Sequence, residues 1–199
     1  MVNTNYIRQV DQSFYSIIVC LFVIAFVSCN KIRDKEITNI INKMKEEEIV
    51  IPFDKMTCYC ATKQNDTIFH EHKYKYILFA DSNECSSCVL SSLYDYTEYI
   101  TKITEGREKE LGFYFIFSPK PKDLKKVKYK VLHSNVNYPV YIDSIGAFSA
   151  NNSNIPSESI YHSFMIDKSG CVILVGNPVK NWKIDNLLRK MLKEFPAED

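Results

Sequence analysis

Lys73-Tyr74-Lys75-Tyr76-Ile77-Leu78-Phe79-Ala80 runs through Asp81-Ser82-Asn83-Glu84 into Cys85-Ser86-Ser87-Cys88. The first segment alternates and then turns wholly apolar, which predicts a central strand buried on both faces. Ser86 to Thr104 carries Val89, Leu93, Tyr96, Ile100 and Ile103 on one stripe, which predicts a helix. A C-x-x-C between a strand and the helix it opens is a redox signature. Helical geometry over such a motif brings both sulfurs within disulfide reach. The unsatisfied N–H groups and the positive end of the helix dipole favour a thiolate on the first cysteine. Thiols in such motifs titrate between roughly 3.5 and 7.5 instead of about 8.5. Cys85 is therefore the expected nucleophile and Cys88 the thiol that resolves the mixed disulfide. Ser86 and Ser87 offer hydroxyl hydrogen bonds to the thiolate. Glu84 opposes it, because a neighbouring carboxylate disfavours a second negative charge. The plainer alternative is an inert structural disulfide. A zinc site needs more ligands than the pair supplies, and the sequence holds no second C-x-x-C.

Outward from this centre the chain alternates. Gly112 to Ser118 reads as a buried strand. Pro121 to His133 reads as a surface helix rich in lysine, Tyr138 to Ile142 as a strand, and Asp143 to Ser159 as a polar loop. Ser163 to Ile166 and Cys171 to Val175 flank Asp167-Lys168-Ser169-Gly170, a hairpin signal. Lys180 to Phe195 is the last expected helix, with Trp182, Leu187, Leu188, Met191 and Leu192 apolar. Upstream, Ile49 to Phe53 and Thr57 to Ala61 are short β-like runs. Strands alternating with helices, followed by a hairpin and a closing helix, give an α/β class. The expected architecture is a mixed, partly parallel central sheet covered on both faces.

The N-terminus has another character. Phe14 to Val27 is uncharged, follows Arg8, and ends in Ser28-Cys29. It is short of the roughly 20 residues of a membrane span and fits an export-signal apolar region. A small residue before Cys resembles a bacterial lipobox, which makes Cys29 the candidate lipidated residue; an uncleaved anchor is the alternative. The expected organisation is a signal segment 1–28, a tether or amphipathic helix 29–48, and a domain 49–199. The domain is expected in the periplasm, tethered to the inner or the outer membrane.

Composition narrows the function. Lys+Arg number 25 and Asp+Glu 24, a formal net charge of +1, without the basic excess of a nucleic-acid binder. Neither a G-x-G-x-x-G nor a phosphate-binding P-loop motif occurs. Seven cysteines suit an oxidising compartment. If Cys29 is lipidated, an odd number remains past the signal, so at least one thiol is free or pairs with another molecule.

Three stretches together resemble the thioredoxin fold, specifically the membrane-anchored thiol–disulfide oxidoreductases of the TlpA/ResA type. They are Tyr76 to Ile103 with its C-x-x-C, then Tyr138-Pro139-Val140-Tyr141-Ile142-Asp143, then Ser163-Phe164-Met165-Ile166-Asp167-Lys168-Ser169-Gly170-Cys171-Val172. The resemblance implies a redox-active disulfide without a cofactor. It implies disulfide-containing client proteins and a membrane thiol-transfer donor as partners. Glu84 stands where the family carries Trp. Tyr161 stands where it carries the cis-proline facing the C-x-x-C, so Tyr161 and His162 are the candidate substrate-groove residues. A non-proline cis peptide costs about 2.5–4 kcal/mol, so Tyr161 is expected trans. In the family that proline shapes the groove and helps keep metal off the thiols. The alternative function is therefore a binding or adaptor module, with a structural disulfide or a Cu(I) or Zn(II) site at Cys85, Cys88 and His162.

A second cluster is Cys58-Tyr59-Cys60 with His70-Glu71-His72. A three-residue turn at Gln64-Asn65-Asp66 would pair Cys60 with His70 and Cys58 with His72, since residues i and i+2 share a strand face. The family resemblance instead makes 70–73 a loop. The plain reading is two half-buried cysteines and an exposed polar loop.

Overall fold

A computed structural model describes residues 33–59, 72–84, 90, 93–134 and 138–194. The chain divides into two compact units, Met1–Asn42 and Lys43–Asp199. Residues 33–46 form helix α1, and in the first unit its described residues are helical with Ile37 exposed. No helix among the described residues is long and apolar enough to cross a membrane.

The second unit is built on one six-stranded sheet, in the order β1-β4-β3-β2-β5-β6. The strands are β1 Thr57–Tyr59, β2 Tyr74–Ala80, β3 Leu111–Phe117, β4 Val140–Ile142, β5 Ser163–Ile166 and β6 Val172–Val175. The helices are α2 Leu93–Thr104, α3 Leu124–Leu132, α4 Ala147–Asn151 and α5 Trp182–Glu194. β2, β3 and β4 run parallel, with Tyr76 opposite Phe113 and Phe115 opposite Val140. β1 is antiparallel to β4, β5 to β2, and β6 to β5. A parallel β–α–β unit at the sheet centre, followed by an antiparallel hairpin and a closing helix, is the thioredoxin-like arrangement.

The period of two along each strand sorts the side chains into two layers. On one face Tyr76, Leu78, Phe113, Phe115 and Phe117 form a core with Leu93, Tyr96 and Ile100 of α2, Val127 of α3, and Leu188 and Leu192 of α5. The opposite face is aromatic. Tyr114 and Tyr141 stack at 6.2 Å, Phe53 packs on Tyr141 at 5.1 Å, and Phe79 meets Phe148 of α4 at 4.9 Å.

Two expectations change. Ile49 to Phe53 is not a strand: Pro52 has no N–H for a ladder, and Phe53–Lys55 forms a 3-10 turn that drops Phe53 onto the aromatic face. Asp143 to Ser159 is no plain loop either. The buried Asp143 carboxylate accepts the N–H groups of Ala147 and Phe148 at 2.9 and 2.8 Å and the Ser118 hydroxyl at 3.1 Å. That satisfies orphan donors at the start of α4.

Candidate functional site

β2 ends at the sheet centre, and its exit is tightly held. The Ala80 carbonyl accepts the Ser118 N–H at 2.8 Å, and the Phe79 N–H donates to the His162 carbonyl at 2.8 Å. Asp81 then closes a turn, its Oδ1 accepting the N–H groups of Asn83 at 2.8 Å and Glu84 at 3.0 Å. This is the local geometry Asp favours. Glu84, the last residue of that turn, immediately precedes Cys85 in the chain.

The Glu84 side chain meets His162. The imidazole Nδ1–H donates to Glu84 Oε1 at 2.6 Å, and Nε2–H donates to the Pro156 carbonyl at 2.8 Å. The His162 side chain is 3% exposed and Glu84 23%. The ring also lies 5.0 Å from that of Phe79. A carbonyl only accepts, and so does an ionised carboxylate, so both ring nitrogens carry protons when Glu84 is charged. Burial pulls the His162 pKa down. The hydrogen bonds to Glu84 and Pro156, with the charges of Glu84 and Asp81, outweigh it and leave the pKa raised above the ordinary histidine value. The pair is thus an imidazolium–carboxylate bridge between the turn after β2 and the turn before β5.

Tyr161, expected opposite the C-x-x-C, ends the 3-10 turn Ser159–Tyr161 and is buried. No cis peptide bond occurs among the described residues, Tyr161 included. His162 caps that turn. The plain reading of a half-exposed strand histidine therefore gives way to a buried one with both nitrogens engaged. Pro156 contributes its carbonyl to that histidine. Cys29, Cys85 and Cys88 lie outside the described residues, as do Cys60, His70 and Glu71.

Of the second cluster, Cys58 and His72 are among the described residues, whereas Cys60 and His70 are not. Cys58 on β1 faces Tyr141 of β4. His72 is buried in the bend before β2, with Nε2–H donating to the Glu108 carbonyl at 2.9 Å and Nδ1 accepting the Tyr114 hydroxyl at 2.7 Å. It rests on Gly112, where an added Cβ would lie 2.3 Å from its Nδ1. Among the described residues no group of three or more His, Cys, Asp or Glu is placed to hold a metal ion. Burial raises the Tyr114 pKa, which keeps its hydroxyl a donor to His72.

No protein-family model and no curated protein sequence matches the chain. Solved structures give likenesses. An uncharacterized thioredoxin-like protein from Porphyromonas gingivalis shares 20% identity at a TM-score of 0.46, over 63% of this chain and 79% of that one. A thioredoxin-like protein from Bacteroides caccae shares 14% identity at a TM-score of 0.45, over 82% of this chain and 56% of that one. A thioredoxin-like protein in the oxidized form shares 16% identity at a TM-score of 0.46, over 74% and 98%. The fold is thioredoxin-like on the strand order and directions given above.

Sequence reading missed the bridge itself. Asp81-Ser82-Asn83 carries a turn signal, and Glu84 was visible as a charge beside Cys85. Its partner lies 78 residues downstream, beyond any local pattern.

Proposed function

We propose that this chain is a thiol–disulfide oxidoreductase of the TlpA/ResA type, held outside the cytoplasm by a lipid on Cys29. The reading is carried by one observation: Cys85-Ser86-Ser87-Cys88 follows directly on the turn that closes β2 and precedes α2, within the central parallel unit. Cys85 as thiolate attacks a client disulfide. One client sulfur leaves and takes up a proton, and a mixed disulfide forms. Cys88, deprotonated, then attacks the Cys85 sulfur. The second client thiol is released, and Cys85 and Cys88 become a disulfide, having passed two electrons to the client. A membrane dithiol donor returns the pair to the reduced state.

The His162–Glu84 bridge supports this chemistry. An unpaired carboxylate next to Cys85 would disfavour the thiolate. Here the imidazolium compensates it, so Glu84 is compatible with a reactive first cysteine. With both its nitrogens donating, His162 offers no lone pair to a metal, so the geometry favours the redox reading over a Cu(I) or Zn(II) site that includes His162.

The test is trapping. Cys88→Ser is expected to accumulate a mixed disulfide through Cys85, while Cys85→Ser accumulates little. In the same cells, Cys29→Ser is expected to move the chain out of the membrane fraction. If neither Cys85 nor Cys88 reacts with an alkylating probe short of denaturation, the oxidoreductase reading fails and an adaptor with a structural disulfide replaces it.

A further inference from the structure

The chain is nearly neutral overall, at +1, yet Lys120, Lys122, Lys125, Lys126, Lys128 and Lys130 fall together, with Asp123 the one acid among them. α3 turns Val127 and Val131 into the core. Its other side presents Lys125 and Lys126, Lys122 is exposed in the 3-10 turn Pro121–Asp123 that leads into it, and none of these forms an ion pair with a described residue. The same ridge continues into Tyr129 and Leu132, each 64% exposed. The Tyr129 ring stacks on His133 at 4.1 Å, and His133 Nδ1–H donates to the Tyr129 carbonyl at 2.7 Å, so the aromatic end is fixed in place.

Solvation alone accounts for lysines; it does not account for an exposed aromatic and a leucine standing at their end. A row of cations beside an amphipathic ring and an aliphatic side chain is the chemistry of an interfacial surface. The lysine heads reach phosphate, their methylene stems lie along apolar material, and the ring and leucine enter the boundary between headgroups and acyl chains. A convex helix ridge also suits a planar surface better than an enclosed peptide. We propose that the outer face of α3, with the 3-10 turn leading into it, docks on an anionic phospholipid surface, through Lys122 of the turn and Lys125 and Lys126 of the helix for the headgroup phosphates and Tyr129 and Leu132 for the interface. This goes beyond the redox reading and stands without it.

The test uses the full chain reconstituted into vesicles, with the reporter moved onto the ridge. The sequence has a single Trp, Trp182, so Trp182→Phe combined with Tyr129→Trp yields one fluorophore at the proposed contact. In vesicles containing phosphatidylglycerol and acyl-brominated lipid, its emission is expected to shift to the blue and to be quenched. About 0.5 M salt, where the screening length falls to roughly 4 Å, should abolish both effects. The triple change Lys122→Gln, Lys125→Gln and Lys126→Gln should do the same. Because any anchor leaves the chain attached in every arm, the signal reports α3 and not the tether. Equal quenching in pure phosphatidylcholine would overturn the proposal, since charge would then play no part. So would no quenching in the anionic vesicles, which would leave the ridge to an acidic protein partner.

Discussion

At the scale of single residues, the informative pair is His162 and Glu84. Read along the chain, Glu84 is a negative charge beside Cys85 and counts against a thiolate. In the fold it is half of an ion pair, and its partner is protonated because a carbonyl and a carboxylate both take its N–H groups. Because the folded pKa of His162 is raised, protonated His162 stabilises the fold. That contribution is fully present below the unfolded histidine value of about 6.5 and is lost as pH rises through the folded value. His162→Gln should therefore flatten the pH dependence of unfolding free energy over that window. It should also cost about 1.5–3 kcal/mol below it, the range for a charged hydrogen bond lost from a largely buried site. The same change leaves Glu84 uncompensated, so alkylation of Cys85 at neutral pH should slow several-fold, and adding Glu84→Gln should restore it. Alkylation rates that are the same in all three proteins would separate the pair from the thiol chemistry.

At the scale of elements, what was legible depended on where the partners lie. β2 and β3 are apolar runs buried on both faces, and their expected positions match the observed strands to within a residue at each end. The β5–β6 hairpin announced itself through its turn residues. α4 was not legible, because its apolar content is little more than Ala147 and Phe148, and the carboxylate that accepts its first N–H groups, Asp143, sits upstream of the helix and of its N-cap Gly146. β3 also hides a requirement that no pattern shows: Gly112 makes room for His72, which joins Tyr114 to the loop at Glu108. Gly112→Ala should push the imidazole out and cost about 1–3 kcal/mol, the usual penalty of overpacking. In a His72→Ala background the same substitution should cost much less, because the clash has gone. Denaturant unfolding of the four proteins measures the coupling, and strictly additive losses would show that His72 is not what Gly112 accommodates.

At the scale of the whole second unit, the sequence suggested a tether running to residue 48 and a domain starting after it. The second compact unit runs from Lys43, with Met44 fully buried and Ile49 nearly so. The attachment is polar as well as apolar. Asn152 Oδ1 accepts the Val50 N–H at 2.7 Å, and its Nδ2 donates to the Val50 carbonyl at 2.8 Å, so one amide side chain imitates a strand partner. Asn154 Nδ2 donates to the carbonyls of Met44 and Glu47 at 3.1 Å each, satisfying acceptors left at the end of α1. The Ile49 N–H donates to the Gly170 carbonyl at 2.9 Å. None of this is visible in sequence, because asparagines in a polar stretch look like any loop. Asn152→Ala strips both backbone groups of Val50 from their partner while leaving the two core layers intact. It should therefore act locally, since segments with few apolar contacts open below the global unfolding free energy. Hydrogen exchange should quicken at residues 44–50 by roughly 5- to 30-fold, as loss of a net 1–2 kcal/mol of hydrogen bonding implies, with β2 and β3 amides unchanged. Uniform acceleration across the sheet would mean that this segment is an integral part of the core; no change at Val50 would mean that Met44 and Ile49 hold it without Asn152.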